Sequence, residues 1–367
     1  MKKALTAAII FVLLASVFSF GASAADEDEA YDEYWKDFLE AVPDGVDGPE
    51  NEEELLSGVG LDSLLEELMS AVRLGTSSAL SLFILLFGIS VIVAVAETVP
   101  PFENATLNKH ASAGIMVIGA VLIFGRIGSL TLSVKSGIEE LSSFFCALIP
   151  IMTAIMTAGG NVSSAAAQSL NMNITLAAVS YVCTEVLLPL SFALFSLAMA
   201  SSMDCGTVGA VAKSVKSLFM WILGIGSTVL IASITMQSVV AGAKDSAYLR
   251  AARYAASGMI PVVGSTVSSA LAALAGGLSY VKTTVGMSAV LVIITLAVAP
   301  LINILLHRLA FSLSISFLEL SNSGGGVRVF SAFRSSLDAL LSVYIVSVIV
   351  YISEIVIFMK CGVSIVV

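Results

Sequence analysis

The chain has 367 residues, of which 57% are hydrophobic and 12% charged, and its mean hydropathy is +0.99. A soluble domain cannot bury that much apolar surface, so the composition excludes an ordinary water-soluble protein and predicts a multispanning membrane protein. The net charge of −10 comes mainly from residues 26–73, which hold 17 of the 27 acidic residues, and no basic block indicates nucleic-acid binding.

Residues 1–24 have the pattern of a signal peptide. Two lysines precede an apolar stretch at 4–20, and Ala22-Ser23-Ala24 follows as a cleavage signal. The alternative is an uncleaved first transmembrane helix. If the peptide is cleaved, the acidic segment 25–73 lies outside the cytoplasm, which agrees with the retention of basic rather than acidic segments.

The acidic segment 25–73 is predicted to contain two amphipathic helices. Within 26–40 and again within 52–72, apolar side chains recur at spacings of three and four among acidic residues. Tyr34, Trp35 and Phe38 are candidates for docking a partner in the extracytoplasmic space. The alternative is a solvated surface next to the membrane.

Residues 74–367 are predicted to form an all-α membrane domain, a bundle of six to eight transmembrane helices. Apolar runs near the length needed to cross about 30 Å of hydrocarbon define its spans. The clearest runs are 79–96, 111–130, 172–200, 218–241, 283–306 and 339–359.

Two Ile-Pro segments interrupt this domain in the same way. Residues 146–160 read CALIPIMTAIMTAGG and residues 257–277 read SGMIPVVGSTVSSALAALAGG. Their prolines lie 111 residues apart, and a shift of 111 also superimposes the flanking spans and the polar links between them. This spacing predicts an internal repeat with units at about 111–200 and 222–306; the alternative is a chance similarity between small-residue helices.

The two segments are predicted to be broken by proline, either as re-entrant hairpins that face one another or as kinked helices. Irregular backbone within a membrane survives where it is buried in protein or lines a water-filled cavity, and paired broken segments indicate a transport site. The candidate residues for a conduit or helix break in these segments are Pro150, Gly159, Gly160, Pro261, Gly264, Gly276 and Gly277.

Ionisable residues inside the spans are the other candidates. Glu185 lies in the middle of a predicted span, four residues before Pro189, and Glu354 lies in the last span. A carboxylate at such a depth is unfavourable unless it is paired, protonated or hydrated, so each marks a polar path or ion-coupling site. The alternative is a structural bond between helices.

No pattern in the sequence indicates catalysis, a cofactor or a metal site. The four cysteines are scattered without a C-x-x-C motif, and the two histidines lie far apart. Metalloprotease, serine and aspartyl protease motifs and the phosphate-binding loop of nucleotide hydrolases are all absent from the sequence. We therefore expect a protein without enzymatic activity.

The sequence resembles the stage III sporulation protein AE family. The most specific stretch is RYAASGMIPVVGSTVSSALAALAGGLSYVKTTVG at 253–286, followed by Pro300 in AVAPLINILL. The order of signal peptide, acidic-aromatic segment, LIPIMTAIMTAGG and IPVVG block is also similar. The resemblance extends over nearly the whole mature chain, whereas the acidic head and the last span match only in type.

The resemblance implies a permease-like component of a channel complex that links the mother cell to the engulfed forespore. The expected partners are other stage III A-operon membrane and ring proteins, a separate ATPase, a forespore protein across the gap, and the lipid bilayer. The expected place is the mother-cell membrane around the forespore, with the acidic head extracytoplasmic. The alternatives are a non-conducting scaffold for the rings and a stand-alone secondary transporter.

Overall fold

The computed structural model describes residues 28–43, 59–98, 105–158, 162–200, 209–228, 230, 232 and 264–360. Within these ranges the chain is helical and contains no strand. The helices are α1 Asp28–Ala41, α2 Val59–Thr98, α3 Ala105–Ala158, α4 Val162–Ser180, a π-helix Tyr181–Leu187, α5 Leu188–Ala200, α6 Gly209–Thr228, α7 Gly264–Leu320 and α8 Gly324–Lys360.

Six helical stretches among the described residues are long and apolar enough to cross a membrane. They are Leu68–Ala96, Val117–Ala158, Val162–Ala198, Gly209–Thr228, Ser279–Leu320 and Gly324–Lys360. Each overlaps one span predicted from the sequence. The prediction of an all-α, multispanning membrane protein is therefore confirmed. The predicted signal peptide lies outside the described residues.

α3 runs without interruption through Pro150, so the predicted re-entrant hairpin is wrong for this segment, whereas a kink at the proline stays a prediction. Residues 131–143, which form the predicted polar link between the span at 111–130 and the first Ile-Pro segment, are also part of the helix. At 1.5 Å per residue, α3 and α7 would each be about 80 Å long if straight, more than twice the hydrocarbon thickness. A straight helix of this length extends well beyond the apolar layer. Its polar stretches can therefore remain helical outside that layer and need not form loops.

A continuous line of buried apolar residues explains why α3 stays helical through the link. Buried side chains recur at spacings of three and four on one face, at Ile127, Leu130, Val134, Ile138, Leu141, Phe145, Leu148, Met152 and Ile155. The outer face carries polar groups such as Lys135 and Glu139, whose side chains lie 3.7 Å apart. Packing on both sides of Pro150 thus compensates for the one backbone hydrogen bond that proline removes.

The backbone widens into a π-helix immediately before Pro189. The Leu188 amide donates to the Cys183 carbonyl, which is a bond across five residues rather than four. Proline has no amide hydrogen and its ring crowds the carbonyl four residues earlier, here that of Glu185. The helix therefore widens at this proline and continues as α5 instead of breaking.

Three helix pairs define the packing of the described part of the bundle. α7 and α8 form an antiparallel hairpin whose turn, Ser321–Ser323, includes Asn322 at a φ of 57°. Asparagine tolerates this left-handed conformation better than most residues. α2 runs beside α7, with Phe87 and Phe317 ring centroids 4.8 Å apart. α4 lies antiparallel to α3, where it faces both α3 and the end of α8.

Candidate functional site: a polar seam between α4 and α8

One face of α4 is polar although it is buried. Ser164, Gln168, Asn171 and Thr175 are each at most 3% exposed. Their spacings of four, three and four residues place them in one line along the helix. Polar side chains of membrane helices commonly face the interior of the bundle, where they can form hydrogen bonds across helices.

α8 carries a matching line of polar groups in its buried face. Tyr344, Ser347, Tyr351 and Glu354 are all 0% exposed and recur at spacings of three and four. We call the two facing lines, together with Ser142 of α3 and Ser180 of α4, the polar seam. Both helices belong to stretches that could cross a membrane.

Glu354 and Gln168 join the two lines. The Gln168 Nε2 group donates a hydrogen bond of 3.0 Å to the Glu354 Oε1 atom. The hydroxyl group of Thr175 also adjoins this carboxyl group. Within the described part of the chain, no donor lies within hydrogen-bond distance of Glu354 Oε2. The carboxyl group is thus held by neutral groups on one side and is open to another donor on the other.

A second hydrogen-bonded group lies one turn away along α8. The hydroxyl oxygens of Ser142 and Tyr351 are 2.8 Å apart, and Ser180 donates to the Ser142 oxygen over 3.1 Å. The ring of Phe145 lies against Tyr351 with centroids 4.6 Å apart. This group ties α3, α4 and α8 together at one level of the bundle.

α7 closes the seam from its other side at two places. Gly137 of α3 allows α7 and α8 to approach α3 closely. A β-carbon at this position would lie 2.9 Å from Pro300 Cγ and 3.0 Å from the Tyr344 hydroxyl. Further along, the Lys282 ammonium lies 5.0 Å from the centroid of the Phe358 ring, one turn beyond Glu354. Lys282 is only 3% exposed, so a second ionisable group is buried near this end of the seam.

The chemistry of the seam is that of hydrogen bonding and charge. Its groups are a carboxyl, amides, hydroxyls and a nearby ammonium, and none of them forms a nucleophile–base pair of the kind used in acyl transfer. No group of three or more histidine, cysteine or acidic residues that could hold a metal ion occurs among the residues that the structure describes. The seam can bind a small cation, relay hydrogen bonds or hold helices together.

Glu185 does not join this seam. It lies in the π-helix on the outer surface of the chain, in line with Tyr181, which is 66% exposed, and with the exposed Pro189. The three residues are spaced at four, so they share one outward face. This face points away from the described helices, so Glu185 and Pro189 do not line the polar seam, and their part in a conduit stays a prediction.

Pro150 lies instead beside a groove of about 690 Å³ between α1, α3 and α4. The groove is lined by Tyr34, Ile149, Pro150, Thr153, Ala154, Thr157, Ala158 and Ser169. Ser169 is the chain neighbour of Gln168, so the groove lies next to the Glu354 end of the seam. The sequence singled out Pro150 as a break, whereas the structure places it in the wall of this groove.

The aromatic residues of the acidic head pack into the protein itself. Phe38 is 0% exposed and Trp35 is 7% exposed, their rings stack at 5.2 Å, and Phe38 meets the edge of Phe144 in α3 at 6.4 Å. The predicted docking surface is therefore wrong for these two residues, because burial against α3 hides them from a partner. Tyr34 is partly exposed and borders the groove.

The structure describes only part of the two Ile-Pro segments. α3 ends at Ala158, directly before Gly159 and Gly160, which lie outside the described residues, as does Pro261. Gly264 begins α7, and Gly276 and Gly277 lie inside it, so the predicted break at the second glycine pair is wrong. The internal repeat stays a prediction, because residues 233–263 of its second unit are not described.

Sequence reasoning found Glu354 but missed most of its surroundings. The signal was present, since Ser164, Gln168, Asn171 and Thr175 follow the same helical spacing as a buried apolar stripe. Polar residues at that spacing in a small-residue helix can face lipid, water or protein, and only the packing of α8 decides among these. The hydroxyls of Ser142 and Tyr351 lie 209 positions apart, and no local pattern pairs them.

Comparisons with known proteins agree with this architecture. The family model for stage III sporulation protein AE matches residues 50–362, most of the chain and all six candidate spans. The chain belongs to the stage III sporulation protein AE family. All of the polar seam lies inside the matched region. Membership supports a role in sporulation.

The stage III sporulation protein AE of Bacillus subtilis (strain 168) is similar to this member of the family. The two are 26% identical over 265 residues, which make up 71% of this chain and 63% of the relative. The match thus covers less than two thirds of the relative's length. No solved structure matches the chain.

Proposed function

We propose that the protein is the permease-like membrane component of a channel complex between mother cell and forespore, needed for late forespore development. One observation carries this proposal, namely that the family match extends across all six candidate spans. The membrane domain as a whole, rather than a detachable module, then belongs to the sporulation machinery.

The polar seam supports a conducting role within that complex. Polar and ionisable side chains inside membrane helices commonly mark paths for ions or polar solutes. Here a carboxyl group, two amides and several hydroxyls lie in the two facing lines of α4 and α8, and both helices belong to stretches that could cross the membrane. A separate ATPase would energise movement, since the sequence contains no phosphate-binding loop.

A scaffold without conduction is the second candidate, and the seam also gives an observation in its favour. The Ser142–Tyr351–Ser180 group is closed on itself, as expected of side chains whose only task is to hold helices together. On this alternative, the bundle anchors the ring proteins, and the outward face around Glu185 is one place where another membrane protein could bind.

The complex would lie in the mother-cell membrane around the forespore. Its other members would be stage III A-operon membrane and ring proteins and a forespore protein across the intermembrane space. The acidic head would face that space. Because Trp35 and Phe38 are buried against α3, recruitment through the head would use the exposed residues of α1, such as Lys36, Asp37 and Glu40.

Deletion of the gene in its own host tests the proposal. We expect arrest after engulfment, a silent late forespore reporter and collapsing forespores, all restored by a wild-type copy at another locus. Normal spores together with a growth or uptake defect would contradict the proposal and indicate a stand-alone secondary transporter.

Substitutions in the polar seam then distinguish a conduit from a scaffold. If the protein is only a scaffold, a variant with an altered seam still recruits every partner and supports sporulation. If it is a conduit, the same variant recruits the partners but does not support sporulation.

A further inference from the structure

Glu354 is a fully enclosed carboxyl group with an incomplete set of partners. Its Oε1 atom accepts the hydrogen bond from Gln168, and Thr175 adjoins the group. Its Oε2 atom is buried, and no described residue donates to it. Buried polar atoms nearly always have a partner, so this oxygen indicates a further ligand of the carboxyl group that the described residues do not supply.

The residues that surround Glu354 are mostly neutral. α4 contributes Gln168 and Thr175, and one turn away along α8 lies Tyr351, which is bonded to Ser142. One turn further along α8, the ammonium of Lys282 of α7 lies over the ring of Phe358. The ion pairs Lys135–Glu139 and Arg308–Asp338 do not include Glu354.

Neutral hydrogen-bond donors orient a buried carboxylate but do not cancel its charge. An uncompensated charge in a water-free interior is strongly unfavourable, and proteins avoid it by pairing or by neutralising the group. A small cation held at Oε2 would remove this penalty. Gln168, Asn171 and Thr175 lie in one buried line on α4, and their side-chain oxygens are donors of the kind that hard cations prefer.

We propose that Glu354 binds one exchangeable monovalent cation, a proton or a sodium ion, in the polar seam between α4 and α8. A proton needs only Oε2, whereas sodium would also use oxygens of the α4 line. The proposal concerns the purified chain and does not depend on the role of the protein in sporulation.

Carbodiimide modification of the full-length protein in detergent tests this site. A carbodiimide reacts with a protonated carboxyl group, whose oxygen adds to the reagent carbon as the proton moves to nitrogen. The adduct then rearranges to a stable acylurea, and mass spectrometry locates it on the chain. We expect modification of Glu354 that decreases as the pH is raised, and Glu354→Gln gives the background.

Added sodium distinguishes the two cations. If sodium binds, sodium chloride suppresses the modification relative to choline chloride, by about tenfold when sodium exceeds its dissociation constant tenfold. If only a proton binds, the two salts give equal modification at each pH. Either result supports the site, and neither requires a variant that might unfold. Glu185→Gln is the matched control and should leave modification of Glu354 unchanged.

Two results would overturn the proposal. One is modification at residue 354 no greater than the Glu354→Gln background at every pH, while acid-unfolded protein reacts normally. The other is modification that appears only in Lys282→Met. That result would mean that the Lys282 ammonium, rather than an exchangeable cation, compensates the Glu354 charge in the native protein.

Discussion

Glu354 and Glu185, the glutamates of the predicted spans 339–359 and 172–200, have opposite surroundings. Glu354 is enclosed between α4 and α8 and accepts a hydrogen bond from Gln168. Glu185 is exposed on the outer face of the π-helix, next to exposed Tyr181 and Pro189. In the sequence both are single carboxyl groups in apolar runs. The difference shows that an ionisable residue in a membrane helix indicates either an interior site or an outer contact, and packing decides which.

The outer position has its own physical meaning. A carboxyl group that faces hydrocarbon is unfavourable, so the Glu185 face is expected to meet water, lipid head groups or another membrane protein. The widened backbone before Pro189 lies on the same segment, and such π-turns often occur at functional positions. We therefore expect changes at Glu185 to alter association, and changes at Glu354 to alter the folded chain or its bound cation.

The largest contrast should come from lysine substitution at the two positions. Glu354→Lys places a second ammonium near Lys282 in a water-free interior, so we expect a loss of about 3 kcal/mol or more in the free energy of unfolding. Glu185→Lys changes an exposed side chain and should shift stability by about 0.5 kcal/mol or less. Both stability changes are measured by thermal unfolding in detergent, with size-exclusion chromatography used to monitor the loss of folded protein. Equal losses at the two sites would show that the burial contrast is wrong.

A smaller contrast is expected on α4 itself. Gln168→Leu removes the donor to the Glu354 carboxyl group and should lower the free energy of unfolding by about 1–3 kcal/mol. The control is Asn173→Leu on the exposed side of the same helix, where the amide only donates back to the Ser169 carbonyl. Chemical unfolding of the two variants in the same detergent compares them. If Gln168→Leu is as stable as Asn173→Leu, the seam hydrogen bond contributes nothing.

The smallest contrast involves one hydroxyl group. Tyr351→Phe removes the bond to Ser142 in the interior and should cost about 1 kcal/mol, whereas Tyr181→Phe changes a ring that is 66% exposed and should cost nothing measurable. A double variant tests the assignment, because Tyr351→Phe should cost little in a Ser142→Ala background, where its partner hydroxyl is already gone. Additive losses would mean that the two hydroxyls act separately.

The sequence was sufficient for the spans but not for their boundaries. Apolar runs located each candidate span, because the hydrocarbon thickness sets a minimum helix length. The same reasoning divided α3 at Pro150 and at 131–143, where the structure is continuous. Buried residues from Ile127 to Ile155 hold one helix together, and a local breaker such as proline is overridden by packing on both sides.

The candidate site was predicted only in part for a similar reason. Glu354 stood out as a charge in an apolar run, but its partner Gln168 lies 186 positions earlier and resembles any other polar residue of a small-residue helix. Trp35 and Phe38 were assigned to a partner surface because amphipathic helices near membranes often bind other proteins. Their burial against Phe144 depends on the position of α3, which no local pattern contains.

Sporulation of strains that carry Glu354→Gln or Glu185→Gln as the sole copy tests the central claim most directly. A conducting role for the polar seam would require its enclosed carboxyl group. It predicts that Glu354→Gln accumulates in the membrane at the wild-type level yet yields far fewer heat-resistant spores, with a larger defect than Glu185→Gln. Wild-type spore numbers with Glu354→Gln at normal protein levels would contradict it.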